Sequence, residues 1–327
     1  MRAAQVFEYG GSENLKIGEA SMPEPGNGEV RVKLSHAGIN FIDVYVRQGV
    51  YKHLKTYANT PPFTIGMEGG GVVDALGDGV DGMAVGDRVA WCLELGSYAE
   101  YAVVPAWKCI PIPDDIDMDI GVTLMLQGST AHYLASSLYP LKPGDSCLVH
   151  AGAGGVGQLL CQIARLRGAR VLTTVSTEEK AEIVRAFGAE PILYKNVDFA
   201  DAVLDMTDGD GVHAVYDGIG KDTFQGSLKA CRRRGTIGLF GGASGQVQSI
   251  DPLELAEAGS VFVTRPHLAN YIHDQAERRS RADDLFAWVR SGDLKVTIDK
   301  TYPLAEAGAA HDYLEAGKTK GKLILEI

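Results

Sequence analysis

The spacing of apolar residues changes along the chain near residue 126. Over residues 1–125, apolar residues form short runs separated by Gly and Asp turns, which predicts many short strands in a β-rich unit. Over 126–266, short apolar runs alternate with segments of helical spacing, which predicts a parallel, doubly wound sheet. The elements of 267–327 are too short to fold alone and are expected to complete the N-terminal domain. The predicted fold class is α/β, with one domain of 1–125 plus 267–327 and a second of 126–266.

The same pattern predicts the individual elements. Strands are predicted at 3–7, 30–37, 69–76, 87–92, 98–105, 109–112, 146–150, 171–175, 192–194, 214–217, 236–240, 260–264, 295–298 and 322–327. Helices are predicted at 40–48, 128–138, 159–166, 177–187, 198–206, 224–231, 274–291 and 304–316. The strand at 260–264 is expected at an edge of the second sheet.

One stretch of the second domain carries a specific signal. The strand at 146–150 is followed by Gly152, Gly154 and Gly157, which fit G-x-G-x-x-G, and then by apolar residues at helical spacing up to Gly168. Strand, glycine turn and helix in this order predict a dinucleotide site, where free N–H groups at the helix start face the phosphates. The cofactor-binding residues expected here are Gly152, Gly154, Gly155, Val156 and Gly157.

Composition narrows the possible functions. With 31 basic and 42 acidic residues, the 327-residue chain has a formal net charge of −11, which argues against nonspecific binding to nucleic acid or membrane surfaces. Its 5 cysteines are scattered without a C-x-x-C pair, as in proteins that keep reduced thiols. No apolar run is long enough to span a bilayer, and the N-terminus lacks a signal-peptide core. We expect a cytoplasmic protein with a small-molecule substrate and no nucleic-acid or membrane partner.

The end of the second strand of this domain bears on the choice of nicotinamide cofactor. NAD enzymes usually carry an acidic residue there, on the ribose hydroxyls. Here the strand ends at Ser176 and Thr177, and Lys180 follows at the start of the next helix, where its ammonium can reach a phosphate. Glu178 and Glu179 complicate this interpretation, although exposed acids are common at helix starts. The residues favour NADPH over NADH.

Further motifs cover essentially the whole chain. They are AGINFIDVYVRQGVY at 37–51, GMEGGGVV at 66–73, GSYAEYAVVP at 96–105, LQGSTAHYL at 126–134, HAGAGGVGQLLCQIAR at 150–165, GLFGGASG at 238–245, FVTRPHL at 262–268 and GKLILEI at 321–327. Together they resemble the medium-chain dehydrogenase/reductase superfamily, and within it the zinc-independent quinone oxidoreductase branch that includes the zeta-crystallins. The resemblance implies a GroES-like catalytic domain and a Rossmann domain for the dinucleotide.

The resemblance also implies roles for individual residues. Asn40 matches a family position near the nicotinamide, and Tyr45 and Tyr51 flank the same pocket, so these three are the expected catalytic residues. The family's phosphate-binding Arg appears here as Gly317, and Lys318 or its neighbour Lys320 is the expected substitute. Further cofactor contacts are expected, from the family or from loops at the carboxyl end of the sheet, at Asn40, Thr130, Ser176, Lys180, Tyr194, Phe240, Gly241, Ser244 and Arg265.

The residues at the family's zinc-ligand positions indicate whether this chain can bind zinc. Zinc-dependent relatives place a catalytic Cys near position 40 and a Gly-His-Glu motif near position 66. Here Asn40 and Gly66-Met67-Glu68 stand there, and neither an amide nor a thioether is a good zinc ligand. Without a cysteine cluster either, we expect no zinc of any kind. Glu68 is expected to hydrogen-bond to local backbone, and Asp43 is interpreted as a surface acid.

A site without zinc or a strong acid suits a quinone. Hydride addition to a quinone gives a stabilised hydroquinone anion, whereas a ketone gives a basic alkoxide that needs a metal or a poised acid. The expected activity is NADPH-dependent quinone reduction. Two alternatives stay open: an NADPH-dependent reductase of enone or enal double bonds, and a non-catalytic, crystallin-like NADPH-binding protein. A homodimer is expected, because Val261-Phe262-Val263 would otherwise expose an apolar sheet edge.

Overall fold

The computed structural model describes residues 1–53 and 59–327. It divides into two compact units, the first holding Met1–Leu126, Ile272–Phe286 and Val296–Ile327, and the second holding Gln127–Tyr271 and Ala287–Lys295. The predicted division differs from these units mainly at 267–271 and 287–295, which belong to the second unit. Two contacts account for this: the ring of Tyr271 stacks on Tyr133 with centroids 4.2 Å apart, and the Lys295 N–H donates to the side chain of Gln162 at 2.8 Å.

The elements have the following bounds. The strands are β1 Arg2–Val6, β2 Leu15–Glu19, β3 Glu29–Ile39, β4 Phe63–Thr64, β5 Glu68–Leu76, β6 Arg88–Cys92, β7 Tyr101–Pro105, β8 Ile110–Pro111, β9 Ser146–Val149, β10 Arg170–Val175, β11 Glu190–Leu193, β12 Val212–Asp217, β13 Cys231–Leu239, β14 Phe262–Thr264, β15 Ile298–Pro303 and β16 Lys322–Glu326. The helices are α1 Phe41–Arg47, α2 Met118–Thr123, α3 Ser129–Tyr133, α4 Gly155–Leu166, α5 Glu178–Ala186, α6 Phe199–Met206, α7 Phe224–Ala230, α8 Pro252–Glu257, α9 Gln275–Ser291 and α10 Ala307–Glu315. Two π-helical turns, Leu124–Gly128 and Leu134–Leu138, flank α3.

The first unit is built around the long strand β3. The order of its larger sheet is β15-β16-β3-β5-β6-β8, with β7 also paired to β3, and β2-β1-β4 form a smaller sheet. Val30, Val32 and Leu34 alternate with more exposed neighbours along β3 and face the core, as the two-residue period of a strand requires. The antiparallel register of β16 on β3 pairs Ile324 with Gly38. The C-terminal strand therefore lies beside the end of β3, where α1 begins.

The second unit contains a six-stranded sheet with the order β11-β10-β9-β12-β13-β14. All of its strand pairs are parallel, which confirms the predicted doubly wound α/β architecture. Every residue of β9 is buried, as expected for a strand covered on both faces. The strand order reverses between β9 and β12, and ligands of such sheets bind beyond the carboxyl ends of the strands at this reversal. β14 lies at the edge, as predicted.

The predicted elements that differ from the structure have local causes. The helix predicted at 128–138 is interrupted by the two π-helical turns that flank α3. The strand predicted at 295–298 begins only at Ile298, where its ladder with β16 starts opposite Lys322. The pattern misses β2 and α8, because their mostly exposed residues leave little apolar period to detect. Among the described residues, no helix is both long and apolar enough to cross a membrane.

Candidate functional site

The glycine turn between β9 and α4 brings backbone segments closer than side chains allow. A Cβ at Gly152 would overlap the Thr173 hydroxyl of β10, and a Cβ at Gly157 would stand 2.7 Å from the Gly152 Cα. Gly154, which precedes α4, has only the Ala151 carbonyl oxygen near its Cβ position, at 3.2 Å. Gly152 and Gly157 therefore permit the close packing of strand, turn and helix, and the surface at Gly154 stays open to a ligand.

The start of α4 provides the anion-binding feature of this turn. The first N–H groups of the 12-residue helix, on Gly155, Val156 and Gly157, precede any intrahelical acceptor. Such donors, together with the positive end of the helix dipole, favour an anion such as a pyrophosphate. They lie just beyond the carboxyl end of β9, beside the reversal of strand order. The residues present therefore fit a dinucleotide.

Asp217, at the end of β12, organises the loop on the other side of the reversal. Its buried carboxylate accepts hydrogen bonds from the N–H groups of Ile219 and Gly220, both at 2.9 Å. It also accepts from the hydroxyls of Thr223 at 2.8 Å and Ser227 at 2.9 Å. The sequence pattern predicts Asp217 only as the last residue of a strand, because residue spacing does not reveal its hydrogen-bond partners.

The loop after β13 carries three predicted cofactor residues. Phe240 and Gly241 directly follow the strand end. The Ser244 hydroxyl donates to the Ile219 carbonyl oxygen at 2.9 Å and accepts from the Asp222 N–H at 3.0 Å. These two bonds tie the loop after β13 to the loop after β12. Ser244 is thus a structural link between two loops at the carboxyl end of the sheet.

Three other predicted cofactor residues gather at the ends of β10 and β11. The parallel register pairs Val175 with Leu193, so Ser176 and Tyr194 follow these strands side by side. Tyr194 is 47% exposed. Lys180 lies in the first turn of α5, close in sequence to both the strand end and the helix start. A hydroxyl, a phenol and an ammonium are therefore available where the adenosine ribose is expected.

Of the two acidic residues near Lys180, Glu178 has a cationic partner elsewhere on its helix. The Glu178 carboxylate forms an ion pair with Arg185 NH1 at 2.5 Å. An adjacent cation offsets the repulsion that this carboxylate would exert on a phosphate. Thr177 caps the helix by accepting from the Lys180 N–H at 3.3 Å. The strand end itself therefore presents hydroxyl side chains rather than an acid.

The remaining predicted cofactor residues are spread over both units. Thr130 is buried within α3 of the second unit. Arg265 is exposed after β14 of the same unit, and its NH1 donates to the Pro266 carbonyl oxygen at 3.1 Å. Lys318 belongs to the first unit, on the turn between α10 and β16, where its carbonyl oxygen accepts from the Tyr313 hydroxyl at 3.4 Å.

In the first unit, the predicted catalytic residues lie on α1 and directly before and after it: Asn40 caps the helix, Tyr45 is on it and Tyr51 follows it. The rings of Tyr45 and Tyr51 meet edge to face, with centroids 5.6 Å apart and planes at 71°. Phe41 extends this aromatic group, with its ring centroid 6.1 Å from that of Tyr45. The structure thus brings Tyr45 and Tyr51 together, and their hydroxyls give an otherwise apolar surface a polar component.

Asn40 is a buried cap at the start of α1. Its side chain forms a capping box with Asp43, whose carboxylate accepts from the Asn40 N–H at 2.8 Å. Its amide nitrogen donates to Glu68 Oε2 at 2.9 Å and to the Gly38 carbonyl oxygen at 3.3 Å. The Asn40 amide thus already has several protein partners. A cofactor or substrate would have to compete with these bonds if the amide is a direct ligand, as predicted.

Glu68 is completely buried and paired with a lysine that sequence reasoning missed. Its Oε2 lies 2.5 Å from Lys322 Nζ, and its Oε1 accepts from the Leu126 N–H at 2.6 Å. Glu68 thus accepts from a backbone N–H as predicted, but the prediction of a local donor is wrong, because Leu126 is 58 residues away. Burial raises the pKa of Glu68, and the Lys322 ammonium opposes that shift. Since every bond that reaches its two oxygens comes from a donor, we assign Glu68 as the carboxylate.

The interpretation of Asp43 as a surface acid is wrong. Its side chain is 0% exposed, because α1 packs its inner face against the strands. Besides the Asn40 N–H, the carboxylate accepts from the Met67 N–H at 2.9 Å and from the Tyr98 hydroxyl at 3.2 Å. Burial raises the pKa of Asp43 to about 7. Asp43 thus fixes the backbone of the Asn40 and Met67 segments to each other.

A directed chain of hydrogen bonds continues from Asp43 into α10. Arg47 can only donate, so its Nη1 donates to Nδ1 of His311 at 3.2 Å, and this Nδ1 must be unprotonated. The proton of neutral His311 is then on Nε2, which donates to the Tyr98 oxygen at 3.2 Å, and Tyr98 donates onward to Asp43. Burial lowers the pKa of His311 to about 3, and the Arg47 charge acts in the same direction. Because Arg cannot release a proton, this chain is a structural brace rather than a proton relay.

The donor atoms at positions 40, 67 and 68 do not fit a zinc ion. An amide, a thioether and a single carboxylate stand where zinc needs thiolate or imidazole ligands. The Lys322 ammonium already lies beside the carboxylate, at 2.5 Å, and beside the Asn40 Oδ1, at 2.8 Å. Over residues 1–53 and 59–327, no group of three or more His, Cys, Asp or Glu side chains is placed to hold a metal ion.

Two family models match the chain. Residues 26–114 match the alcohol dehydrogenase GroES-like domain, and residues 155–274 match a model described as zinc-binding dehydrogenase. The second match begins at Gly155, where α4 starts after the glycine turn, and covers β10 to β14 of the parallel sheet in the second unit. The fold, the glycine turn and these two matches define the chain as an oxidoreductase of the medium-chain dehydrogenase/reductase superfamily.

Individual relatives narrow the assignment within that superfamily. The chain is 42% identical to a 2-haloacrylate reductase of Burkholderia sp, over 99% of this chain and 98% of the relative. It is 41% identical to a quinone oxidoreductase of Pseudomonas aeruginosa, over 98% of each chain. The crystal structure of Escherichia coli quinone oxidoreductase complexed with NADPH superposes with a TM-score of 0.95 at 35% identity, covering 100% of both chains. The chain belongs to the quinone oxidoreductase branch.

Replacing His311 with Gln is expected to reduce the loss of stability at acidic pH. The pKa of His311 is about 3 in the folded protein and near 6.5 when unfolded, so between these values the unfolded chain binds the extra proton. This histidine therefore costs the wild type about 1.4 kcal/mol of unfolding free energy per unit that the pH falls within that window. Urea denaturation at pH 7, 6 and 5 measures the slope, which should be smaller in His311→Gln.

A control is His53→Gln, because His53 is exposed and takes part in no ion pair among the described residues. That variant should keep the wild-type slope. Equal slopes for His311→Gln and the wild type would contradict the assignment of His311 as a buried neutral histidine.

Proposed function

We propose that the protein is a zinc-independent, NADPH-dependent quinone oxidoreductase. The observation that carries the proposal is the glycine turn at the strand-order reversal, with hydroxyl side chains and Lys180 where NAD enzymes usually place an acid. The 41% identical Pseudomonas relative, named as a quinone oxidoreductase, supports the same activity. Escherichia coli quinone oxidoreductase complexed with NADPH supports the cofactor.

The second unit supplies the residues that would hold the cofactor. Gly154 and the N–H groups at the start of α4 would face the pyrophosphate, and Ser176, Lys180 and Tyr194 would contact the 2′-phosphate region. Other proposed cofactor contacts are Gly152, Gly155, Val156, Gly157, Thr130, Phe240, Gly241, Ser244 and Arg265, with Asn40 and Lys318 from the first unit. Reduced nicotinamide, when bound, supplies the hydride.

The first unit supplies the residues proposed to act on the acceptor. The edge-to-face pair of Tyr45 and Tyr51 offers ring surface for a planar quinone and hydroxyls for its oxygens. Asn40 fixes the start of the helix that carries Tyr45, through its capping box with Asp43. We therefore propose the two tyrosines as the groups that contact the acceptor and Asn40 as the residue that holds them in place.

The chemistry of these side chains suits a conjugated acceptor. Burial raises the pKa of Asp43 to about 7, but three donors already bond its carboxylate, which leaves it as a structural group. Reduction of a quinone needs no strong acid in the site, because the reduced anion is stabilised by aromaticity and takes its proton from water. Simple ketones lack this stabilisation and are expected to be poor substrates.

A second candidate acceptor follows from a specific comparison. The Burkholderia relative, 42% identical, is named as a 2-haloacrylate reductase, and an acrylate carries a carbon–carbon double bond conjugated to a carboxylate. Hydride addition there also produces a delocalised anion, so the same side chains suit both acceptor classes. The non-catalytic, crystallin-like function is the third possibility that the assay below separates.

We also propose an organisation for the protein in the cell. The first unit would form the catalytic domain and the second unit the cofactor domain, in a cytoplasmic homodimer. Edge strand β14 supports the dimer, because Phe262 is 65% exposed while Val263 is half-buried. Val261, named with them in the predicted edge, is only 5% exposed and contributes to the core instead.

The purified protein is expected to oxidise NADPH rapidly in the presence of a naphthoquinone. Loss of reduced-nicotinamide absorbance is followed with NADPH and NADH in parallel, with and without a chelator, and with 2-chloroacrylate and an enone as alternative acceptors. The expected result is turnover that prefers NADPH and is insensitive to the chelator, because no zinc ligands stand at positions 40 and 67.

Each other outcome of this assay has a definite meaning. Faster turnover on the acrylate or enone would assign the double-bond reductase instead. Tight NADPH binding without reduction of any acceptor would favour the non-catalytic function. Equal efficiency with both cofactors would contradict the role of Lys180.

Lys180→Met is expected to weaken NADPH selectively. Loss of one charge-assisted contact to a phosphate costs about 1.5–3 kcal/mol, which corresponds to roughly a 10- to 150-fold higher KM for NADPH. The KM for NADH should change less than about twofold, since NADH lacks the 2′-phosphate. Lys229→Met serves as a control, because Lys229 is a half-exposed lysine of the same unit that pairs with Asp201 at 2.5 Å. A parallel rise for both cofactors would contradict a specific 2′-phosphate contact.

Phe262→Lys is expected to convert a dimer into a monomer. A lysine on the exposed edge of β14 opposes strand pairing between two copies. Light scattering at micromolar concentration measures the mass of both proteins. A wild-type monomer, or a Phe262→Lys variant that stays dimeric, would contradict pairing through this edge.

A further inference from the structure

Lys322 is a completely buried cation of the first unit. Its side chain is 0% exposed, and Nζ donates to Glu68 Oε2 at 2.5 Å, to Asn40 Oδ1 at 2.8 Å and to the Ile39 carbonyl oxygen at 3.3 Å. An ammonium has three hydrogens, so these three acceptors use all of them. Removing a charge from water is costly unless it is paired and fully hydrogen-bonded, and Lys322 meets both conditions.

The Lys322–Glu68 pair places opposite charges against the two ends of the Asn40 amide. The amide oxygen faces the ammonium at 2.8 Å, and the amide nitrogen faces the carboxylate at 2.9 Å. Rotating the amide by half a turn would bring its N–H groups against the ammonium and its oxygen against the carboxylate. Both contacts would then be repulsive in a site closed to water. The two charges therefore favour the same orientation as the capping box with Asp43 and the bond to the Gly38 carbonyl oxygen.

The surrounding backbone is shaped to this arrangement. A Cβ at Gly38 would overlap Glu68 Oε2 and would stand 2.8 Å from Lys322 Nζ. Gly38 lies on β3 opposite Ile324 of β16, so a side chain there would push the carboxylate and the ammonium off their present positions. The strand that carries Lys322 can therefore approach β3 only with glycine at position 38.

We propose that Lys322 is a positioning residue of the reduction site, a fixed internal cation that sets the orientation of Asn40 and, through it, the start of α1. This inference rests on the proposed function, because Asn40 and Tyr45 matter to turnover only if the protein reduces an acceptor. Lys322 itself is completely buried and all of its donors are used, so it acts through Asn40 and not by contact with the substrate.

Two variants separate positioning from simple stability. Lys322→Met leaves the Glu68 carboxylate buried without its cation, so that variant is expected to lose thermal stability as well as activity. The double variant Lys322→Met/Glu68→Gln removes both charges and is expected to recover most of the thermal midpoint. Its kcat with a naphthoquinone should nevertheless stay about tenfold or more below wild type, since a small displacement of a reacting group is costly. Its Kd for NADPH should rise by a smaller factor than kcat falls, because most of the proposed cofactor contacts come from the second unit.

A double-mutant cycle tests whether the effect passes through Asn40. In an Asn40→Ala background, exchanging Lys322/Glu68 for Met/Gln should change kcat by less than about twofold, because the group to be positioned is gone. Lys300→Met is the matched control, an exposed lysine of the same unit whose ammonium lies over the Tyr313 ring at 4.1 Å, and it should keep wild-type kcat. Full recovery of kcat in Lys322→Met/Glu68→Gln, or equal losses with and without Asn40, would overturn the proposal.

A readout without turnover distinguishes failure of this inference from failure of the proposed function. Hydrogen exchange of the Asn40 side-chain amide, assigned by its loss in Asn40→Asp, is measured by NMR. It is expected to be slow in the wild type and at least about tenfold faster in Lys322→Met/Glu68→Gln. Unchanged exchange would refute the positioning role even if quinones are reduced. A wild type that reduces no acceptor but shows the exchange difference would refute only the proposed function.

Discussion

The buried ion pair between Lys322 and Glu68, at 2.5 Å, is the interaction on which the first unit depends most. It joins the last strand of the chain to β5 and, through Asn40, to the start of α1. Removing one partner of such a pair commonly costs about 3–5 kcal/mol, because the other charge is left buried and alone. The pair is therefore a constraint on the whole unit, since the C-terminal strand, β3 and α1 must all be in place before either charge is satisfied.

A second buried network surrounds this pair and has a different function. Asp43 fixes the Asn40 and Met67 backbones, and Tyr98 and His311 connect Asp43 to Arg47. Because Arg47 can only donate and the Asp43 carboxylate can only accept, the roles of His311 and Tyr98 between them are fixed, and the network has a single hydrogen-bonding pattern. Such fully satisfied polar networks make a core rigid and specific. Here the rigidity is placed beneath the helix that carries Tyr45.

The second unit depends on close backbone approach instead of charge. Gly152 and Gly157 let the turn, β10 and α4 pack without side chains between them, and this packing leaves the first N–H groups of α4 available to an anion. Asp217 then fixes the loop after β12 by accepting from its N–H groups, and Ser244 bonds that loop to the loop after β13. The geometry of the glycine turn in this unit thus depends on the identity of a few small residues.

The sequence by itself determined the features that depend on local spacing. Apolar period and glycine spacing predicted the parallel sheet, the edge position of β14 and the dinucleotide turn, because strand, turn and helix are adjacent along the chain. The missing acid after β10 could be seen in the same way, at Ser176 and Thr177.

Tertiary structure alone decided the features that join distant segments. Lys322 and Glu68 are separated by 254 residues, and no pattern near either position indicates the other. Asp43 resembles a surface acid in sequence, yet folding places it at 0% exposure under Tyr98. Burial and long-range pairing of these charges arise only when β16 pairs with β3. The sequence pattern therefore could not predict the charged residues that hold the candidate site.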